Sequence, residues 1–267
     1  MTAVPLSLPD LALESVLMLA NVAASLLLRW QLHREFLWAS ARMVVQLLLV
    51  GLVLRIVFKA ASPLASIVVA MLMIAAAARE VAVRPTWGLK GLRKYYLSTS
   101  VVSVAGSVTV VLALMTAIRP SPWYDPRYAI PLLGIVLGSV LNSATIALDS
   151  FFDNVVHRRA AVEAQLALGY PIFQALAEPI RTAIRRGMIP IINQMSAAGV
   201  ITLPGIMTGQ LIAGMDPVDA AKYQILLLFL LGGAGGLAAA GAVYLAARSV
   251  TDVRQRLRLD HLDRRGQ

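Results

Sequence analysis

The sequence predicts an all-α polytopic membrane protein, a single transmembrane domain over residues 1–267 with about seven transmembrane helices. Of its 267 residues, 58% are hydrophobic and only 14% are charged, about half the charged fraction of an ordinary soluble domain. A helix needs roughly 20 mainly apolar residues to cross a bilayer. Seven segments meet that requirement: 8–28, 39–58, 63–79, 97–118, 129–148, 188–213 and 223–247.

The composition excludes several classes of site and partner. Cysteine is absent, which excludes disulfides, thiolate metal sites and cysteine nucleophiles. The histidines, at positions 33, 157 and 261, all lie outside the apolar segments, so the sequence does not favour a buried histidine-rich metal site. The formal charge is +10 in an otherwise apolar chain. A nucleic-acid binder would be more polar, so the expected partner of the basic residues is an anionic membrane surface.

The basic residues also predict the orientation, because Lys and Arg are retained on the cytoplasmic side during insertion. With the N-terminus outside and the C-terminus inside, 19 of the 24 Lys and Arg residues fall on the inner side. No Lys or Arg precedes the first segment, whereas Asp10 and Glu14 lie near its start. A cleaved signal peptide would begin with basic residues, so we expect this segment to be retained as a span. The basic tail, 248–267, is expected to contact the inner membrane surface.

A long inner loop, 149–187, separates the fifth and sixth segments and has the composition of a folded segment. Phe173, Leu176, Ile180 and Ile184 recur at three- and four-residue steps, a pattern typical of an amphipathic helix. Before it, 155–168 is expected to form another helix, in which Arg159 and Glu163 are spaced four residues apart to form an ion pair. A break is expected at 169–171 because Gly suits a helix end and Pro a helix start. Pro179 is expected to kink or interrupt the second helix. The loop is therefore either an interfacial helix on the inner leaflet or a docking element for a cytoplasmic protein.

The sixth segment carries prolines that interrupt it. Pro190 and the pair Pro204-Gly205 predict either one broken helix or a re-entrant hairpin. A hairpin would place the basic tail outside, so the charge distribution favours one broken helix that begins on the inside.

Polar residues within apolar segments are candidates for the transport pathway, because they are costly in a bilayer unless they pair or contact water or substrate. Asn142, Thr145 and Asp149 share one face of the fifth segment with Gly138, at steps of three and four residues. The remaining candidates surround the break in the sixth segment: Asn193, Gln194, Ser196, Pro204, Gly205, Thr208 and Gln210. Hydrogen bonding to neighbouring helices is the structural alternative for these side chains. Glu14 is a further candidate cation ligand.

Two motifs resemble known transporter families. Glu163-Ala164-Gln165 followed by Gly169 resembles the EAA-type loop through which ABC importer permeases contact their ATPases. Residues 187–228, beginning GMIPIINQMSAAGVITLPG, resemble FetB-type ABC permeases linked to iron export, and are similar also to plant aluminium-tolerance permeases. The likeness extends to LGSVLNSATIALDSF at 137–151 and AAREVAVRP at 77–85. The resemblance assigns ATPase coupling to the following residues: Arg159, Glu163, Ala164, Gly169, Tyr170 and Pro171.

The resemblance implies the membrane subunit of an ATP-driven exporter of iron in the bacterial cytoplasmic (inner) membrane. Its implied partners are a second copy of this chain and two copies of a FetA-like ATPase, which hold the ATP and magnesium; this chain is expected to bind no cofactor. No G-x-x-x-x-G-K-[ST] phosphate loop, G-x-S-x-G or H-E-x-x-H motif occurs, so the chain is not expected to be an enzyme. The alternatives are an ABC permease for a nucleotide sugar such as UDP-glucose, or an uncoupled channel or secondary transporter.

Overall fold

The protein is helical, and its computed structural model describes residues 8–29, 31–60, 62–122, 124–252 and 254–264; for residues 8–14 and 60 it describes the backbone only. The chain divides into two compact units. The first contains the N-terminal helices together with residues 212–214, and the second contains the rest of the chain from residue 62 onward.

The first unit is a helical hairpin of α1 (Leu8–Leu27) and α2 (His33–Ala60). Arg29 and Gln31 adopt positive φ angles in the connection between the helices. The backbone N–H of Leu32 donates to the Ser25 hydroxyl at 3.0 Å, which ties the start of α2 to the end of α1.

The second unit begins with α3 (Pro63–Val83), a short strand β1 (Trp87–Leu89) and α4 (Arg93–Ala113), whose last turn continues as a π-helical turn to Ile118. The long helix α5 (Pro126–His157) is followed by α6 (Arg159–Ala167) and α7 (Ile172–Ala175). After them come α8 (Ala177–Ala197), α9 (Gly205–Ile212), α10 (Pro217–Ser249) and strand β2 (Leu262–Arg264).

In the described part of the chain, five helical stretches are long and apolar enough to cross a membrane: His33–Lys59, Pro63–Val83, Arg93–Ile118, Pro126–His157 and Pro217–Ser249. The all-α membrane fold predicted from the sequence is therefore confirmed. The total of seven spans and their orientation stay predictions.

The sixth predicted segment differs most from its expectation. Pro190 lies inside α8 and does not end it, and the break falls at 198–204, before Gly205 begins α9. Gly199 has a φ of +83° in this break. A proline removes only one helical hydrogen bond, and the turns on either side of Pro190 are sufficient to hold the helix. The break separates two helices of 21 and 8 residues. Helix α9 is too short for a full span, and the first half of α8 carries one Glu and three Arg residues, so it is not apolar enough for one.

The helices also run through both predicted edges of the inner loop 149–187. Helix α5 continues to His157, and α8 begins at Ala177 and passes position 187 without interruption. The second helix is interrupted as expected, but at Leu176, between α7 and α8. Pro179 itself lies in the first turn of α8, where its missing N–H costs no hydrogen bond. The predicted boundaries were placed where the apolar residues of each segment end. Helices α5 and α8 extend beyond those boundaries because polar residues also form helical hydrogen bonds.

Three helices of the second unit pack with their backbones unusually close. A Cβ atom on Gly187 of α8 would lie 2.7 Å from the Ser143 carbonyl oxygen and 2.9 Å from Cβ of Ala147, both on α5. A Cβ on Gly235 of α10 would lie 2.7 Å from the Ser143 hydroxyl. Small residues permit such approaches between membrane helices. The three helices contact one another pairwise, with α5 and α10 parallel and α8 antiparallel to both.

The chain after α10 is folded back. The N–H of Arg258 donates to the Val250 carbonyl at 2.8 Å, and β2 pairs antiparallel with β1 through Leu89 and Leu262. The Arg258 guanidinium donates to the Asp260 carboxylate at 2.9 and 2.8 Å. These hydrogen bonds hold the pKa of that carboxyl far below its usual value. The basic tail is thus a folded segment that joins other parts of the second unit.

The close helix packing predicts opposite effects for two matched substitutions. Gly187→Ala should destabilise the protein by about 1–3 kcal/mol, because its methyl group has no room beside the α5 backbone. Gly138→Ala, on α5, should be neutral or stabilising by up to about 1 kcal/mol, since a Cβ there meets nothing within 4 Å. Thermal unfolding in a mild detergent measures both. Equal melting temperatures for the two variants would contradict the packing.

Candidate transport and coupling site

A pocket of about 240 Å³, lined by polar and apolar side chains in equal number, lies between α5, α8 and α10. Its polar wall carries Ser139, Asn142 and Ser143 of α5 and Gln194 of α8, and Leu231 of α10 closes the third side. The amides of Asn142 and Gln194 are on exposed residues. Two predicted pathway residues, 52 positions apart in the sequence, therefore line one cavity.

A hydrogen bond between helices and a proline shape the walls of the pocket. The Ser139 hydroxyl donates to the Leu231 carbonyl at 3.0 Å, which holds α10 against α5. Pro190 lines the same pocket and cannot donate to the carbonyl of residue 186, so one helical hydrogen bond of α8 is missing beside the cavity. The pocket is thus lined by hydroxyl and amide groups, and α8, which forms one wall, lacks one backbone hydrogen bond there.

The other predicted pathway residues of α5 lie outside the pocket. The Thr145 hydroxyl is buried without a hydrogen-bond partner among the described residues. Asp149 accepts a hydrogen bond from the N–H of Thr86 at 2.7 Å and so connects α5 to the segment after α3. The carboxylate therefore holds the interior of α5 against the segment that follows α3.

The remaining predicted pathway residues are spread over α8, the break and α9. Ser196 donates back to the Ile192 carbonyl at 2.9 Å, and Thr208 donates to the Pro204 carbonyl at 3.2 Å. The Gln210 side-chain oxygen is buried without a partner among the described residues. Those outside the lining of the pocket are Asn193, Ser196, Pro204, Gly205, Thr208 and Gln210. The side chain of Glu14, the candidate cation ligand, lies outside the described residues.

The predicted coupling residues, by contrast, lie together. Helices α6 and α7 form a hairpin, here named the coupling tip (residues 159–175), between the end of α5 and the start of α8. The Arg159 guanidinium donates to the Glu163 carboxylate at 2.8 Å, as the spacing predicts. Gly169 has a φ of +85°, and the N–H of Tyr170 donates to the Gln165 carbonyl at 3.1 Å, so the expected break at 169–171 is confirmed.

The coupling tip is anchored on one side and exposed on the other. Val162, Ile172 and Leu176 are buried beneath it. Leu168 and Tyr170 are 78% and 52% exposed at its turn. The predicted coupling residues are all exposed: Arg159, Glu163, Ala164, Gly169, Tyr170 and Pro171. An exposed apolar turn flanked by charged residues is suited to contact another protein.

Sequence reasoning missed several residues of these sites. Ser139 and Ser143 line the pocket, but the predicted polar face of α5 ran through Gly138 and was rotated by one residue. Ile135, Ser139 and Asn142 also recur at steps of four and three, so the periodicity of α5 alone does not distinguish the two faces. Gln255 was also missed: its side-chain oxygen accepts from the N–H of Ile172 at 3.2 Å and caps the start of α7. Nothing in the local sequence links Gln255 to α7.

No group of three or more His, Asp or Glu side chains is close enough to hold a metal ion in the part of the chain that the structure describes. The pocket offers a different set of donors, namely neutral hydroxyl and amide oxygens.

Comparison with known proteins gives the family. A model of UPF0014, an uncharacterised protein family, matches residues 8–251. The chain belongs to the UPF0014 family. It is 38% identical to a UPF0014 membrane protein of Synechocystis sp. over 212 residues, covering 78% of this chain and 81% of the relative. No solved structure matches the chain.

Two further relatives of this UPF0014 protein carry functional names. It is 28% identical over 256 residues to the "Probable iron export permease protein FetB" of Escherichia coli K12, covering 96% of each chain. It is 26% identical over 230 residues to "Protein ALUMINUM SENSITIVE 3" of Arabidopsis thaliana, covering 86% of this chain and 82% of the relative. The resemblance to FetB-type permeases and to plant aluminium-related proteins is confirmed, and the chain is a multi-pass membrane protein of a permease family.

The pocket predicts a difference in water access between neighbouring positions of α8. Because the chain has no cysteine, single cysteines can be placed on it without background. Gln194→Cys should react with a charged, water-soluble thiol reagent in membranes, since the thiolate that reacts forms only in water. Ile192→Cys, on an exposed apolar position outside the pocket, should react at least about tenfold more slowly. Equal labelling rates would show that the pocket is not water-filled.

Proposed function

We propose that this UPF0014 protein is the membrane subunit of an ATP-driven exporter, energised by a separate cytoplasmic ATPase that binds the coupling tip. The observation that carries the proposal is the position of the tip in the chain. It is inserted between α5 and α8, the two helices that supply the polar wall of the pocket. Movement of the tip by a partner would act directly on both walls.

The two helices that join the coupling tip to the pocket can transmit a movement of the tip as rigid rods. Asn142 lies about 22 Å along α5 from its end at His157, and Gln194 lies about 26 Å along α8 from its start at Ala177, at 1.5 Å per residue. Both helices are continuous over these lengths. A partner that moves the tip towards or away from the membrane would therefore shift α5 and α8 together. The shift of these two helices would change the width of the pocket. ABC ATPases act in pairs, so two copies of this chain would assemble with two ATPases.

Iron is the proposed substrate, by analogy with the relative named as an iron export permease. The lining of the pocket supports a cation over an anion, because it offers hydroxyl and amide oxygens and contains no Lys or Arg. Oxygen donors suit hard and borderline divalent cations. A nucleotide sugar such as UDP-glucose would bring two phosphate charges into a cavity without a basic side chain, which disfavours that alternative.

Charge reversal on the coupling tip tests ATPase docking. Glu163→Arg should lower co-purification of the partner ATPase by about tenfold or more, because it breaks the Arg159 ion pair and places like charges on the docking surface. Asp219→Arg is the matched control, since Asp219 is also exposed and pairs with Lys222 at 2.9 Å, near the N-terminal end of α10. Pull-down from membranes measures both variants. Normal co-purification of Glu163→Arg would contradict the docking role.

Substitution in the pocket tests transport separately from docking. In liposomes containing the partner ATPase, Gln194→Leu and Asn142→Leu should lower ATP-dependent Fe(II) transport by about tenfold or more, because they remove ligand oxygens. Asn193→Leu, outside the pocket, should transport normally, and all three should still bind the ATPase. Stimulation of ATP hydrolysis by UDP-glucose rather than by Fe(II) would replace the cation proposal with a nucleotide-sugar one.

A further inference from the structure

A second cavity, distinct from the transport pocket, lies where the segment between α3 and α4 meets the C-terminal tail. It has a volume of about 260 Å³, and the antiparallel pair of β1 and β2 forms one of its walls. The N–H of Lys90 donates to the His261 carbonyl at 2.9 Å, and the Arg93 guanidinium lies 3.2 Å from the His261 ring nitrogen. Two parts of the chain about 170 residues apart are therefore held together to build this cavity.

The charges that line the cavity are unbalanced. Lys90, Lys94 and Arg264 contribute three cations, and Asp263 contributes one carboxylate. Gathering three cations around one concave space costs free energy through mutual repulsion unless an anion offsets it. The β1–β2 pairing brings Arg264 of the tail to the cavity beside the two lysines of the α3–α4 segment. The residual charge favours an anion between them.

The backbone leaves space for that anion. Gly88 and Gly91 line the cavity, and a Cβ built on either glycine meets nothing within 4 Å. Gly91 has a φ of +63°, a conformation that glycine adopts without cost. The glycines thus keep the mouth of the cavity open beside the cationic side chains.

Two aromatic side chains lie against the cations that line the cavity. The Arg264 guanidinium lies over the Trp87 ring, 5.8 Å from its centroid, and the Lys94 ammonium lies 5.4 Å from the centroid of the Tyr95 ring. Trp and Tyr are enriched at membrane–water interfaces. The apolar crevice beneath the cavity has a volume of only about 10 Å³, too small for an acyl chain. A compact anionic group fits the site, and a lipid tail does not.

We propose that this cavity binds a phosphate group, carried either by an acidic phospholipid headgroup or by free phosphate, through Lys90, Lys94 and Arg264. Bound phosphate would offset the repulsion among the three cations and hold the tail strand β2 against β1. The site is separate from the transport pocket and the coupling tip, and it does not depend on the transport proposal.

Binding to the full-length protein in an uncharged detergent tests the site. The probes are dioctanoyl phosphatidic acid and inorganic phosphate, with dioctanoyl phosphatidylcholine as the zwitterionic comparison, and the readout is the Kd from ligand-dependent thermal stabilisation. The double variant Lys90→Gln/Lys94→Gln should weaken binding on the order of tenfold or more. Gly88→Leu should weaken it similarly, because it fills the cavity without changing the charge.

A matched double variant controls for general surface charge. Arg248→Gln/Arg254→Gln removes the same charge from exposed arginines that do not line the cavity, and its Kd should stay within about twofold of the wild-type value. Competition by inorganic phosphate at similar concentrations would assign the site to free phosphate, and binding of phosphatidic acid alone would assign it to a headgroup. Equal weakening by the cavity and control variants, or no binding of either phosphate probe, would overturn the proposal.

Discussion

The close contact of α5, α8 and α10 is the constraint on which the second unit depends. Gly187 and Gly235 approach the Ser143 position from two sides, and alanines fill much of the surrounding buried contact. Between membrane helices, lipid supplies no hydrophobic driving force, so close van der Waals contact must stabilise the association. Small residues make that contact possible, and they also fix the register in which Asn142 and Gln194 meet one pocket.

The same contact explains where the pocket begins. Next to Gly187 the helix backbones are nearly in touch, which leaves no space for a ligand. Over the next two turns of α8, up to Gln194, the side chains are larger, and Pro190 removes one backbone hydrogen bond. The polar wall therefore borders the tightest part of the interface. A pocket in this position can change its width only if α8 moves against α5, because nothing flexible separates it from the glycine contact.

The sequence predicted those features of the structure that arise from interactions between residues close together in the chain. The apolar segments predicted an all-α membrane protein, and residues 159–171 predicted the Arg159–Glu163 pair and the turn at Gly169. The rotation of the polar face of α5 was not predictable from α5 alone, since it depends on which neighbours cover Ser139 and Ser143. The β1–β2 pairing and the Gln255 contact with α7 join residues more than 80 positions apart, and composition and periodicity carry no information at that range.

The folded tail connects the coupling tip with the segment between α3 and α4, which are far apart in the sequence. Gln255 caps α7 of the coupling tip, and β2, a few residues later, pairs with β1 in the α3–α4 segment. Asp149 of α5 holds the same segment through the N–H of Thr86. In the proposed mechanism, a force on the tip would thus reach α5 by two routes, along the chain and through the tail. Because both routes end on helices that meet at Gly187 and Ser143, the tail would restrain the tip from rotating independently and would direct its motion along α5 and α8.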